Sequence, residues 1–230
     1  MSEIVLIRPG CTDFDEQKRI QGTLDLPLNS RGQEQVQQIV EQLHDIPLEA
    51  IYTSESEPAR STAEAIGDSL DVPVKNNEGL ANLNQGLWQG LQIDEVRRKY
   101  PKSFKQWQES PETICPPEGE TISDALTRIK KTIKKPIKRH KVFGIVASEP
   151  LMSLISCLIE NRETEFPVSC VPVDGPQSVE ILHTPDEEQA ENGIEKYSAT
   201  AAPTKGAEPV APETTSKLTS TQSSEQSDDS

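Results

Sequence analysis

Residues 3–12 read Glu-Ile-Val-Leu-Ile-Arg-Pro-Gly-Cys-Thr. The unbroken apolar run from Ile4 to Ile7 predicts a short buried strand. Arg8, Pro9 and Gly10 follow the run without a spacer. Because chemistry in parallel sheets is found where the strands end, we expect the functional site beside these three residues.

Strands and helices alternate along the rest of the chain up to about residue 183. Further strands are predicted at Leu48–Thr53, Val142–Ala147 and Ser178–Leu182. Helices are predicted after a Ser30 cap, around Ala59 to Leu70, from Ile93 to Glu109 with a break near Pro101, from a Ser123 cap to about Pro136, and from Leu151 to Ile159. This alternation predicts an α/β fold, a three-layer sandwich in which helices cover both faces of a mainly parallel sheet.

Composition excludes several classes of protein. The 230 residues include 38 acidic and 23 basic ones, and the net charge of -15 argues against a general nucleic-acid binder. No apolar run approaches the roughly 18 residues of a membrane span, and the first residues do not resemble a signal peptide. The four cysteines form no C-x-x-C pair, so we expect reduced thiols, a cytoplasmic location and no metal or other cofactor.

The composition shifts at residue 184. Residues 184–230 contain ten acidic residues, three lysines and fourteen serines or threonines, with few large apolar side chains. Such a segment buries too little surface to offset the entropy of ordering, so we predict a domain over residues 1–183 and a disordered acidic tail over 184–230. The tail is interpreted as a solubilising extension, or as a docking segment regulated by phosphorylation of its hydroxyl groups.

Five blocks of the sequence resemble motifs of the histidine phosphatase superfamily, in its phosphoglycerate-mutase-like branch. Residues 8–12 stand where the family has R-H-G-E-T, and residues 19–32 resemble R-I-Q-G-x-x-D-x-P-L-x-x-x-G. Residues 51–66 resemble I-Y-x-S followed by R-A-x-x-T-A-E, residues 87–91 resemble G-x-W-E-G-L, and residues 117–121 resemble P-G-E-S. The resemblance covers roughly residues 3–160 and implies the phosphoglycerate-mutase-like fold.

The resemblance also implies a set of catalytic roles. In the family, a histidine after the first arginine attacks the phosphoryl group, because its ring nitrogen has a lone pair. Two arginines and a second histidine surround the phosphoryl oxygens, on which negative charge spreads in the transition state. A carboxylic acid gives a proton to the leaving oxygen.

The motif positions of this chain lack most of those groups. Arg8 is retained, but Pro9 stands at the nucleophile and Pro58 at the second arginine. Asn82 stands at the proton donor and Ser148 at the second histidine. We therefore interpret Arg8, Pro9, Pro58, Asn82 and Ser148 as a relict phosphate pocket with no catalytic residue.

Neighbouring residues do not restore the missing roles. Glu149 adds a negative charge beside the former phosphate site, and Arg60 is two positions away from that of the second arginine. Arg8 itself is expected to bind nearby backbone or some anion. Cys11 lacks the arginine six residues further on that cysteine phosphatases use. The chain has three histidines, His44, His140 and His183. None of them lies at a motif position, and we expect each to be structural or exposed.

A basic run extends from Arg128 to Lys141 and contains eight lysines or arginines. It is interpreted as the solvated face of a helix whose Ile129, Ile133 and Ile137 point inward. The alternative is a docking patch for an anionic partner, of which the acidic tail of the same chain is one candidate.

Three functions remain open. The first is a catalytically inactive protein with a non-catalytic binding or regulatory role and an unknown protein partner. The second is a phosphatase or phosphoglycerate mutase with rewired residues, and the third is a sensor of a phosphorylated metabolite. We expect weak phosphate binding at best, and neither nucleic acid nor a membrane as partner.

Overall fold

The computed structural model describes residues 2–109, 115–162 and 179–184. Five strands occur in chain order: β1 Glu3–Ile7, β2 Ile51–Thr53, β3 Val74–Asn76, β4 Val142–Val146 and β5 Val179–His183. The helices are α1 Asp13–Glu16, α2 Ser30–Leu43, α3 Ala59–Leu70, α4 Ile93–Lys99, α5 Pro101–Glu109, α6 Ile122–Arg139 and α7 Leu151–Ile159. Short 3₁₀ turns lie at Glu78–Leu80 and Gly86–Trp88.

The strands form one sheet in the order β3-β2-β4-β1-β5. The first four are mutually parallel, and β5 runs antiparallel to β1. The predicted α/β fold with a mainly parallel sheet is therefore confirmed. Strand β3 was not predicted from the sequence, because this three-residue edge strand contains a single apolar residue.

Helices cover both faces of the sheet, as expected. Ile4 and Leu6 of β1 belong to a buried cluster that includes residues of α6 and α7, whereas Val5 and Ile7 belong to a second cluster with α2 and α3. This division follows from the alternation of side chains along a strand. A smaller third cluster, around Trp88 and Tyr100, packs α4 and α5 against the loop that contains Ile20.

The predicted helix boundaries need three corrections. Asn29, not Ser30, caps α2, because its side chain accepts a hydrogen bond from the amide of Gly32. Thr121, not Ser123, caps α6 through the amide of Asp124. The predicted end of α6 at Pro136 is also wrong. That proline lies in the last turn, where it packs into the core, and the helix continues to Arg139.

The last described residue returns to the beginning of the domain. Thr184 is buried, and its Oγ1 accepts a hydrogen bond of 2.8 Å from the amide of Ser2. The Oγ of Ser2 in turn donates to the carbonyl of Ile137 at 2.9 Å. Thr184, the first residue of the predicted tail, thus packs with the domain, and the rest of that prediction, residues 185–230, lies outside the described residues. Within the described ranges, no helix combines the length and apolarity that crossing a membrane requires.

Candidate functional site

The two central strands, β1 and β4, end side by side. Ile7 pairs with Val146 in the parallel ladder, and the amide of Ala147 donates to the carbonyl of Ile7 at 3.1 Å. The residues that follow each strand are therefore neighbours, although they are about 140 positions apart in sequence. This is the strand edge at which the sequence places the site.

Arg8, the first residue after β1, forms an ion pair across this edge. Its Nη2 lies 2.8 Å from Oε1 of Glu149, and the two side chains are 23% and 10% exposed. The other carboxylate oxygen of Glu149 accepts a hydrogen bond of 2.7 Å from Oγ of Ser153. Arg8 thus binds a carboxylate of its own chain rather than the backbone. Its Nε is buried and has no hydrogen-bond partner among the described residues.

Pro9 and Gly10 continue the chain beyond Arg8. The amide nitrogen of Pro9 carries neither a free lone pair nor a proton, so this residue offers no nucleophile. Gly10 is held by a buried hydrogen bond of 3.2 Å from its amide to Oγ1 of Thr62. A Cβ on Gly10 would lie 2.3 Å from the carbonyl oxygen of Gly32. The glycines of two sequence motifs therefore meet, and their contact fixes the loop after β1 against the start of α2.

Pro58 lies at the beginning of α3, on the adjoining side of the site, after a cis peptide bond from Glu57. The nearby Arg60 is paired with Glu57, with 2.6 Å between Nη2 and Oε1. The carbonyl of Glu57 also accepts a hydrogen bond of 3.3 Å from Nε2 of Gln21. The cation that lies nearest in sequence to the missing arginine is thus engaged by a carboxylate.

Asn82 and Ser148 line one small open pocket together with Gln21, Ser54 and Glu57. The Nδ2 of Asn82 donates to the carbonyls of Glu149 and Gly22 at 2.9 and 3.1 Å, and its Oδ1 accepts from the amide of Leu83 at 2.9 Å. Asn82 therefore ties the loop after β4 to the loop after residue 20. The pocket presents amide and hydroxyl groups where the resemblance implies an acid and a histidine.

The alternative nucleophile, Cys11, is half-buried, and its amide donates to Oε1 of Gln35 at 2.9 Å. Burial raises the pKa of the Cys11 thiol above its ordinary value, so the thiolate fraction at neutral pH is small. Cys11, Cys115 and Cys157 form no disulfide with one another, and Cys170 lies outside the described ranges.

The histidines lie away from this pocket. His140 is buried at the opposite end of β4, where Nδ1 lies 3.1 Å from Oε2 of Glu49 and Nε2 lies 3.1 Å from the hydroxyl of Tyr52. His44 and His183 are exposed. The expectation that the three histidines are structural or exposed is confirmed.

Asp15, a carboxylate close to this edge, was not predicted from the sequence. Its Oδ2 accepts hydrogen bonds from the amide and the hydroxyl of Thr12 at 2.6 and 2.9 Å. Burial raises the pKa of Asp15, while these bonds and the charge of Arg8 lower it. The Thr-x-x-Asp spacing of a capping box was the signal that would have identified it. Among the described residues, no group of His, Cys, Asp and Glu is arranged to hold a metal ion.

Comparison with known proteins identifies the family. A model described as histidine phosphatase superfamily (branch 1) matches residues 4–196. Phosphoserine phosphatase 1 of Hydrogenobacter thermophilus is 29% identical over 140 residues, which are 61% of this chain and 66% of that protein. The structure of Bacillus stearothermophilus YhfR, at 26% identity, has a TM-score of 0.71 and covers 81% of this chain and 93% of its own.

A phosphoglycerate mutase from Bacillus anthracis str. Sterne shares the fold. Its TM-score is 0.66 at 20% identity, and the match covers 84% of this chain and 96% of that structure. The chain spans less than two thirds of the length of the first curated relatives that it matches. Since the family model extends over most of the sequence, the chain belongs to the histidine phosphatase superfamily, branch 1.

Proposed function

We propose that this protein is a catalytically inactive member of the histidine phosphatase superfamily, with a non-catalytic binding or regulatory role and a protein partner. The ion pair between Arg8 and Glu149 carries the proposal. The one cation retained from the family's phosphate site is already neutralised, and the adjacent Pro9 replaces the nucleophile. Loss of the nucleophile alone is enough to prevent formation of phosphohistidine.

The charge balance where β1 and β4 end supports the same proposal, although neither Arg8 nor Glu149 is among the residues that line the small pocket. A phosphoryl group needs cations and N–H donors around its oxygens. Here the carboxylate of Glu149 neutralises the charge of Arg8, and the carboxylate of Glu57 neutralises the charge of Arg60. Glu57 also lines the pocket. Any phosphate that approached Arg8 would displace or face the Glu149 carboxylate, and like charges at such distances repel.

The position that the resemblance assigns to the proton donor holds an amide, Asn82. Both amide protons of Asn82 are directed at carbonyl oxygens, and an amide has no accessible pKa for acid catalysis. Asn82 therefore serves as a structural connection between two loops.

A phosphatase with rewired residues is the second candidate, because relatives of this chain are named phosphatases and mutases. Cys11 is the side chain nearest to Pro9 in sequence that can act as a nucleophile. Its raised pKa and the absence of an arginine six residues further on weigh against this candidate.

A turnover assay separates the two candidates. The purified chain is incubated with an aryl phosphate and, separately, with phosphoserine, beside a histidine phosphatase as positive control. We expect no hydrolysis above the blank and no acid-labile phosphoenzyme. Turnover that scales with protein concentration would overturn the proposal, and its loss in Cys11→Ala would assign the activity to that thiol.

Calorimetry tests the sensor alternative. A single half-exposed contact between an arginine and an anion contributes about 1–3 kcal/mol, which corresponds to a dissociation constant weaker than about 1 mM. We expect inorganic phosphate and sugar phosphates to bind no more tightly than this. Micromolar binding of a sugar phosphate would replace our proposal with a phosphometabolite sensor.

A further inference from the structure

The C-terminal half of α6 presents a dense cluster of cations. We call the basic face the six exposed residues Lys131, Lys134, Lys135, Lys138, Arg139 and Lys141. The opposite side of the helix carries Ile129 and Ile133, which are buried, and Ile137, which is half-buried. The helix orientation expected from sequence is therefore confirmed, and the whole cluster points to solvent.

The basic face is not compensated by nearby carboxylates. In the described part of the chain, none of its six cations has an ion-pair partner, whereas Arg128 at the other end of the run is paired with Glu120 at 2.9 Å. Glu49, the acidic neighbour at the end of the helix, binds His140 and the amide of Lys141. Lys138 and Arg139 lie in the last turn of α6, where a positive charge interacts favourably with the helix dipole. Lys131, Lys134 and Lys135 lie more than one turn before the end of the helix, so the dipole does not stabilise them. A cluster of this kind in a chain of net charge -15 attracts an anionic segment.

The end of the described domain lies beside the last turn of α6, on the core side of the helix that bears this face. Thr184 is hydrogen-bonded to Ser2, and Ser2 is hydrogen-bonded to the carbonyl of Ile137, which lies between Lys134 and Lys138 on α6. The amide of Glu3 also donates to the carbonyl of Lys141 at 2.7 Å. The segment that follows Thr184 therefore begins within a few residues' reach of the basic face.

The sequence immediately after Thr184 has the complementary charge. Residues 186–191, which we call the acidic segment, contain Asp186, Glu187, Glu188 and Glu191 and no basic residue. An extended chain advances about 3.3 Å per residue, so seven residues reach about 23 Å. The basic face from Lys131 to Lys141 is about 15 Å long at the helical rise of 1.5 Å. The acidic segment can thus reach every cation of the face.

We propose that the acidic segment docks on the basic face of its own chain. Each exposed ion pair contributes little, about 0–1 kcal/mol, but several act together. The covalent connection at Thr184 gives the segment an effective concentration in the millimolar range, so that weak pairs are sufficient. The docked segment would cover the face and keep other polyanions away from it. Because the pairs are exposed, docking is sensitive to salt.

Carbodiimide cross-linking of the full chain tests the proposal. The reagent joins a carboxylate to a lysine amine only where the two are in contact, and peptide mass spectrometry locates the links. We expect links from residues 186–191 to concentrate on lysines 131–141 rather than on Lys18 or Lys99, which are also exposed. They should decrease by at least about fivefold in 1 M salt, where the screening length is about 3 Å.

Two matched variants assign the effect to the basic face. Lys134→Glu/Lys138→Glu reverses two charges on the face and should remove most of the links. Arg97→Glu/Arg98→Glu makes the same charge change at two exposed positions of α4 and should leave them unchanged. Circular dichroism and a thermal melt of each variant check that the domain is still folded.

Three results would overturn the proposal. The first is a distribution of links in proportion to lysine exposure. The second is a pattern that is the same in both variants. The third is linking between chains in a mixture of isotope-labelled and unlabelled protein, which would place the acidic segment on a second molecule. None of these results depends on whether the protein is catalytically active.

Discussion

The guanidinium of Arg8 and the carboxylate of Glu149 lie 2.8 Å apart and join the ends of the two central strands. The pair engages Arg8, the cation that our proposal assigns to a former phosphate site. It also places a carboxylate with little exposure beside α7, where Ser153 holds it. Glu149 therefore determines both the charge and the geometry of the site.

Removing this carboxylate should restore anion affinity. In Glu149→Gln, Arg8 keeps its position but loses its counter-charge, so we expect phosphate to bind at least about fivefold more tightly, or about 1 kcal/mol. Titration calorimetry measures the change. Glu120→Gln is the matched control, because it breaks the similar pair with Arg128 away from the pocket and should leave phosphate affinity unchanged. Equal affinities in Glu149→Gln and the native chain would mean that the Glu149 carboxylate does not prevent anion binding at Arg8.

Restoring an acid at position 82 should cost stability. The Nδ2 of Asn82 donates two hydrogen bonds to carbonyl oxygens, and an aspartate in its place would direct a negative oxygen at them. We expect Asn82→Asp to lower the free energy of unfolding by about 1–3 kcal/mol, which is the range for an unsatisfied buried polar group. Urea denaturation measures this, with Asn84→Asp at an exposed neighbouring position as the control. A stability loss no greater than that of the control would contradict the structural role of Asn82.

The positions of several residues of this site could be predicted from the sequence, because each belongs to a short motif that is recognisable without knowledge of the tertiary structure. The order of the blocks placed Arg8, Pro9, Asn82 and Ser148 at one strand edge, and the apolar runs gave β1 and β4 nearly to the residue. The capping residues were misplaced by one or two positions, since Asn29 and Thr121 compete with nearby serines for the same role.

Other features depend on contacts that no local pattern records. Glu149 was expected near the site, but its direct pairing with Arg8 depends on how two loops approach one another. The contact between Gly10 and Gly32 is likewise a property of packing. The partial burial of Asp15 likewise depends on how the loop after β1 packs.

Neutralising Asp15 should stabilise the domain at neutral pH. Burial raises the pKa of Asp15 in the folded chain above its value in the unfolded chain. A carboxyl group shifted in this direction contributes its full stability only when the pH is below the unfolded pKa. That contribution is lost as the pH rises through the folded pKa. We expect Asp15→Asn to be more stable than the native chain near pH 7. The difference should shrink as the pH falls below roughly 4, the ordinary pKa of an aspartic acid. Urea denaturation across this range measures the trend.

The control for this prediction is Asp13→Asn, at an exposed position of the same helix. Its stability relative to the native chain should show no comparable dependence on pH. If the difference in unfolding free energy between Asp15→Asn and the native chain grew as the pH fell, the raised pKa of the Asp15 carboxyl would be contradicted.

A methyl group on Gly10 should strain the loop after β1. The added Cβ would lie 2.3 Å from the Gly32 carbonyl oxygen and 2.9 Å from Cδ2 of Leu28, and the backbone oxygen cannot move away alone. We expect Gly10→Ala to lower stability by about 1–3 kcal/mol, the usual cost of overpacking. Gly144→Ala should destabilise the domain less, since a Cβ on Gly144 would come no closer than 3.3 Å, to Cδ1 of Ile7. Thermal melts that rank Gly144→Ala as the more damaging change would contradict this account.

The hydrogen bond between Ser2 and Thr184 connects residues that are 182 positions apart. The first and last residues of the described domain are therefore neighbours in space. A short linker between these ends, with a new opening in an exposed turn elsewhere, would preserve every strand pairing of the sheet. Circular permutation is thus compatible with this fold, and the domain is equally suited to insertion into a surface loop of another protein.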